Sequence, residues 1–176
     1  MRKRLFWWEA AGFLIAAAGG TLLHFLYEWS GEQLFAAVIS AVNESTWEHM
    51  KLLFVPVFLF SIVHICVMGK MYPNFLAVRA LSTLVGLLLI PVLFYTYTGV
   101  WGRSVNWVNI AIFYLTALTL FALDFWLLRR GRFSSPWQQL LGLVVLWALA
   151  FCFVWCTFRP SQLALWKDPL TGEFGI

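Results

Sequence analysis

Five long apolar runs, each closed by polar or basic residues, divide the chain. A helix that crosses a bilayer needs about 20 mostly apolar residues. The runs therefore predict spanning helices over residues 5–28, 46–69, 74–98, 107–128 and 136–158. A sixth apolar stretch, 31–42, is too short to span and reads as a re-entrant or interfacial helix. Residues 159–176 form a C-terminal tail. The expected fold is all-α: one transmembrane domain over 1–176, a polytopic bundle of five spanning helices and one short helix.

Composition agrees with this pattern. The chain is 62% hydrophobic and 11% charged, against about 25% charged in an ordinary soluble domain. The lipid bilayer is the expected solvent and first partner. The net charge of +4 sits at segment ends, where it sets topology, and does not point to nucleic acid. Cys66, Cys152 and Cys156 lie inside apolar runs, so no disulfide framework is expected. The basic start and Ala16-Ala17-Ala18 look like a signal peptide. Glu9 interrupts the apolar region, however, and the run continues past Ala18, as in an uncleaved first helix.

With the N-terminus in the cytoplasm, the inner ends carry Arg2, Lys3, Arg4, Lys70, Arg129, Arg130 and Arg132. The outer regions carry Lys51, Arg103, Arg159 and Lys167. The excess of basic residues inside favours this orientation and puts the tail outside the cell. Most tryptophans fall near one interface or the other, as a bilayer selects. Gly12, Ala16 and Gly20 form a small-residue stripe that admits a close neighbouring helix. Pro56 and Pro91 each free a carbonyl inside a span, those of Leu52 and Leu87.

Ionisable residues at membrane depth mark function by default. They fall into two layers. The inner layer is Glu9, His64, Arg79 and Asp124, one from each of four spans, roughly 7–14 Å from the cytoplasmic boundary. It reads either as a proton or ion relay or as an ionic staple with Arg79 pairing Asp124 or Glu9. The outer layer is denser: His24, Glu28, Glu44, Glu48, His49, Lys51 and, from the tail, Asp168. Tyr95, Tyr97, Arg103, Asn106 and Asn109 approach it, and together these predict an outward-facing polar bowl.

Asn43-Glu44-Ser45-Thr46-Trp47-Glu48-His49-Met50-Lys51 opens the second span. Ser45-Thr46-Trp47-Glu48 matches the capping box S/T-x-x-E, with Ser45 as cap and Glu48 reaching back. That accounts for Ser45 and Glu48 but not for Glu44, His49 and Lys51. Zinc takes His and carboxylate ligands, so His24, Glu28, Glu44 and His49 are the candidate ligands for a divalent metal. Neither H-x-x-x-H nor H-E-x-x-H occurs in the chain.

Two stretches carry a resemblance. Asn43, Glu44, Ser45, Trp47, Glu48, His49, Lys51 and Leu52 follow an N-E-S-x-W-E-H-x-K-L core. Asp168, Pro169, Thr171, Gly172, Phe174, Gly175 and Ile176 follow a D-P-x-T-G-x-F-G-I tail. In both, the chain resembles a family of small bacterial multi-pass membrane proteins of unknown function. The resemblance implies a bacterial plasma-membrane location and a shared role for core and tail. It implies no activity. Asp168-Pro169-Leu170-Thr171-Gly172 is itself a turn sequence, which would fold the tail back as a lid.

The residues themselves favour binding or transport of a small cationic or metal-ion solute at the outer Glu/His site, with Trp29 and Trp47 as walls. A homo-oligomer or a partner membrane subunit would complete a pathway. A membrane-embedded metal-dependent hydrolase is the enzymatic alternative, and a structural or assembly factor without small-molecule chemistry is the third.

Overall fold

The computed structural model describes residues 2–176. Five long helices and one short one form an all-α bundle: α1 (Arg2–Trp29), α2 (Leu34–Ile39), α3 (Thr46–Met68), α4 (Phe75–Trp101), α5 (Asn106–Arg130) and α6 (Pro136–Phe158). A 3₁₀ turn, Ala164–Trp166, follows in the tail. All five long helices are long and apolar enough to cross a membrane. α2 has six residues and, at about 1.5 Å each, lies within one end of the bundle. With five crossings, the N-terminus and the tail lie on opposite faces, here called the N-terminal face and the tail face.

The small-residue stripe explains how α1 joins the bundle. A Cβ on Gly12 would run into the rings of Phe60 and Phe121, and one on Gly20 would stand 2.9 Å from Leu52 O. Leu52 O is the carbonyl that Pro56 leaves without its intrahelical donor. Glycine thus lets α1 press against α3 and α5 where α3 is weakened. Gly142 plays the same part between α6 and α4, where a Cβ would meet the backbone of Leu76 and Ala77. In lipid, such close backbone approach replaces hydrophobic burial as the packing force.

Helix ends are tied by side chains. Ser135 makes a complete capping box with Gln138 at the start of α6, with Pro136 in the first turn. Asn74 does not cap α4. Its Nδ2 instead donates to Leu127 O at 3.2 Å and Arg132 O at 2.9 Å, holding the end of α5. Mid-bundle, Leu53, Val57, Leu87, Ala117 and Leu120 form a buried apolar belt. Leu14, Leu22, Val63, Leu88, Leu141 and Phe151 point outward, giving the bundle an apolar surface for lipid.

Candidate functional site

The turn into α3 is built differently from the capping box expected of it. Ser45 Oγ accepts from Glu48 N–H at 3.3 Å, but Ser45 N–H donates to Asn43 Oδ1 at 3.0 Å. Glu48 does not reach back. Its carboxylate accepts from Val42 N–H at 3.2 Å and pairs with Lys51 Nζ at 2.5 Å. Lys51 has no solvent exposure and also donates to Ala37 O and Thr157 Oγ1, both at 2.8 Å. A buried ammonium is tolerated only when paired and hydrogen-bonded, and this demand outweighs the cap. Glu48 and Lys51, expected in the polar bowl, are therefore a lock joining α2, α3 and α6.

Asp168 likewise serves the scaffold. Its carboxylate accepts from Leu170 N–H at 2.7 Å, Thr171 N–H at 3.4 Å and Glu44 N–H at 3.3 Å. The first two close a turn and the third docks it on the α3 entry. The tail doubles back through the bridge between Lys167 and Phe174. Gly175 O accepts from Asn43 Nδ2 at 3.0 Å, Tyr95 Oη donates to Ala164 O at 3.2 Å, and Trp166 stacks on Trp47 with ring centroids 4.7 Å apart. Gly175 has φ +67°, and a Cβ there would stand 2.8 Å from Pro160 Cγ, so the docked end requires glycine.

What remains on the tail face is a compact group of three. Glu44 Oε1 lies 3.6 Å from His24 Nε2, and Glu44 Oε2 lies 3.5 Å from His49 Nε2. The two imidazoles stand 5.5 Å apart, centroid to centroid. His49 Nδ1 is 2.9 Å from Ser45 O. A carbonyl only accepts, so Nδ1 holds the proton, and a neutral His49 aims its Nε2 lone pair at the carboxylate. That arrangement favours a positive charge between them. No lysine or arginine among the described residues pairs with Glu44, whose side chain keeps 43% exposure.

Glu44 and His49 open onto a cavity of about 340 Å³ between the α3 entry, the end of α4, the start of α5 and the tail. Its polar lining is completed by Thr46, Ser104, Asn106 and Asn109, and its apolar lining comprises Ile90, Phe94, Ile112, Phe113, Pro169 and Leu170. Tyr97 Oη bonds Asn109 Oδ1 and accepts from Val105 N–H at 3.1 Å, which positions the α4–α5 connection.

Several expected members lie elsewhere. Glu28 is exposed at the end of α1 and enters no ion pair among the described residues. Trp29 is exposed and Trp47 is buried against Trp166 and Phe153, so neither walls the cavity. Among the described residues no group of three or more His, Cys, Asp or Glu side chains is arranged to hold a metal ion. The proposed ligand set His24, Glu28, Glu44 and His49 loses Glu28, and the other three do not close on one point.

The second layer sits near the N-terminal face. Arg79 Nε lies 2.8 Å from Asp124 Oδ2, an ion pair not aligned as a hydrogen bond. Arg79 Nη2 lies 3.5 Å from Glu9 Oε2 and 3.0 Å from His64 Nδ1. The guanidinium packs between the rings of Phe75 and Phe121, and His64 stacks on Trp8. All four polar residues are buried, and the apolar belt separates them from the cavity.

Sequence reasoning overlooked Thr157, which completes the lock, and the cavity walls Phe94 and Phe113. An aromatic residue inside a span gives no sign of whether it faces lipid or a cavity. Pro169 and Leu170 did carry a signal, since they belong to the tail motif. The chain matches no curated protein and no solved structure. A family model does match, over residues 3–176. The chain is thus an integral membrane protein that belongs to a family of unknown function, DUF6512.

Proposed function

We propose that the protein binds a small organic cation, one with a single positive head and an apolar body, in the tail-face cavity. The observation that carries this reading is Glu44: a carboxylate that no lysine or arginine among the described residues pairs, flanked by the imidazoles of His24 and His49, at the wall of a cavity whose apolar lining includes Phe94, Phe113, Ile90 and Ile112. About 340 Å³ is at the small end of the range for small-molecule sites, which pair apolar walls with a few placed polar groups. The carboxylate would take the cationic head and the aromatic rings the body, with cation–π attraction adding to it. A bare metal ion fits less well, because the His, Cys, Asp and Glu side chains of the described residues form no group of three or more placed to hold one.

The tail face is taken to be the outer one. Arg2, Lys3, Arg4, Lys70, Arg129, Arg130 and Arg132 crowd the opposite face. Lys51, one of the basic residues counted on the tail face, is buried in its ion pair, which sharpens the asymmetry. The cavity would then meet solutes arriving from outside the cell.

The test is ligand-dependent thermal stabilisation and equilibrium dialysis of the purified protein. The panel is primary and quaternary ammonium compounds with aliphatic or aromatic bodies, alongside divalent metal salts. Saturable binding of the amphiphilic cations is expected, weakened at least about tenfold in Glu44→Gln. Binding of none of them, or equal binding by Glu44→Gln, would remove the proposal.

A further inference from the structure

Among the described residues, two ion-paired clusters are buried between the helices of this bundle, and they differ in their charge count. In the lock, one carboxylate, Glu48, meets one ammonium, Lys51. In the centre near the N-terminal face, two carboxylates, Glu9 and Asp124, meet one guanidinium, Arg79. His64 does not make up the difference. Arginine only donates, so His64 Nδ1, 3.0 Å from Arg79 Nη2, accepts, and the imidazole is neutral with its proton on Nε2. The centre is one positive charge short, at a depth where an unbalanced charge is costly.

The unused atoms of the same centre point the same way. Glu9 Oε1, Asp124 Oδ1, His64 Nε2 and Arg79 Nη1 are all buried without a hydrogen-bond partner. Buried polar groups are normally satisfied, so four orphans from four helices mark a place built for something more than the side chains supply. Free oxygens remain on both carboxyl groups.

We propose that the Glu9–Arg79–Asp124 centre is a proton-binding site, in which the two carboxyl groups together hold one exchangeable proton. The bound proton neutralises the centre and turns one carboxylate oxygen from acceptor into donor, aimed at its unpartnered neighbours. The other titratable and charged groups around it are few. α3 contributes only the neutral His64, and α6 carries no charged residue. From the α3–α4 connection comes Tyr72, close enough to feel both Glu9 and Arg129. Burial pushes its phenol up, so it stays uncharged at neutral pH. A proton is the smallest cation that restores balance, and two carboxyls around one guanidinium form a site that gains and loses it without moving a helix. This assignment is independent of the tail-face ligand.

Infrared spectroscopy of the purified protein in lipid nanodiscs at pH 7, in sodium-free buffer, tests it. The expected spectrum contains a protonated-carboxyl C=O band that shifts on exchange into D₂O. The band should be lost in Glu9→Gln and in Asp124→Asn, each of which leaves one carboxylate for one guanidinium. It should persist in the Glu48→Gln, Lys51→Met double variant, which removes the carboxylate of the lock. If one single variant fails to fold, the other carries the test. Absence of the band in the wild type, or its survival in either single variant that folds, would overturn the assignment. So would its loss on adding sodium but not choline chloride, which would make the ligand a metal cation.

Discussion

The carboxylate of Asp168 accepts the backbone N–H of Glu44 across 124 residues of sequence, at 3.3 Å. This one bond joins the tail turn to the α3 entry and holds Glu44 beside the cavity that Pro169 and Leu170 help to line. Asp168→Ala removes an acceptor shared by three N–H groups, at about 1–3 kcal/mol for each one left buried and unpaired. The tail should undock, seen as faster proteolysis after residue 160 and loss of the near-UV signal of the Trp47–Trp166 stack. Glu173→Gln, on an exposed side chain, should change neither.

The Glu48–Lys51 lock predicts an asymmetric double-mutant cycle. Lys51→Met strands a buried carboxylate and should cost about 3–5 kcal/mol, measured by thermal or denaturant unfolding in detergent. Glu48→Gln with Lys51→Met leaves no buried charge and should recover much of that loss. A capping-box role alone would predict little penalty for Lys51→Met.

Two glycines separate packing from helix propensity. Gly20→Ala would place a Cβ against the Phe113 ring and 2.9 Å from Leu52 O, and should destabilise the bundle by about 1–3 kcal/mol. Gly99→Ala in α4 meets nothing within 4 Å and should stabilise by up to about 1 kcal/mol, since alanine is the better helix former. Melting temperatures of the two variants should therefore move in opposite directions.

Leu170 lines the cavity while 80% exposed. Leu170→Ala should leave the melting temperature of the free protein unchanged. Affinity for an amphiphilic cation should fall about fivefold, for about 1 kcal/mol of lost apolar contact. Equilibrium dialysis checks the second effect and a thermal melt the first.

The bilayer explains why so much of the architecture was readable from the chain. Only helices satisfy their backbone alone in lipid, so apolar run length by itself determined five spans and an all-α fold. The small-residue stripe and the arginine among buried acids were legible for the same reason: lipid tolerates few alternatives for either. The tail motif and the α3 entry could be singled out, and even placed on one face, because four spans, an even number, lie between them.

The tertiary structure alone decided what each polar residue does there. Glu44 and Glu48 stand one turn apart and look interchangeable in sequence. Yet Glu48 is consumed by Lys51 and Val42 N–H, while Glu44 is left to the cavity. That division depends on Ala37 O and Thr157 Oγ1, partners from α2 and α6 that complete the coordination of Lys51. Local spacing sets which side of a helix a residue occupies. Whether its charge is then neutralised or left free depends on groups brought in by other helices, and no local pattern encodes those.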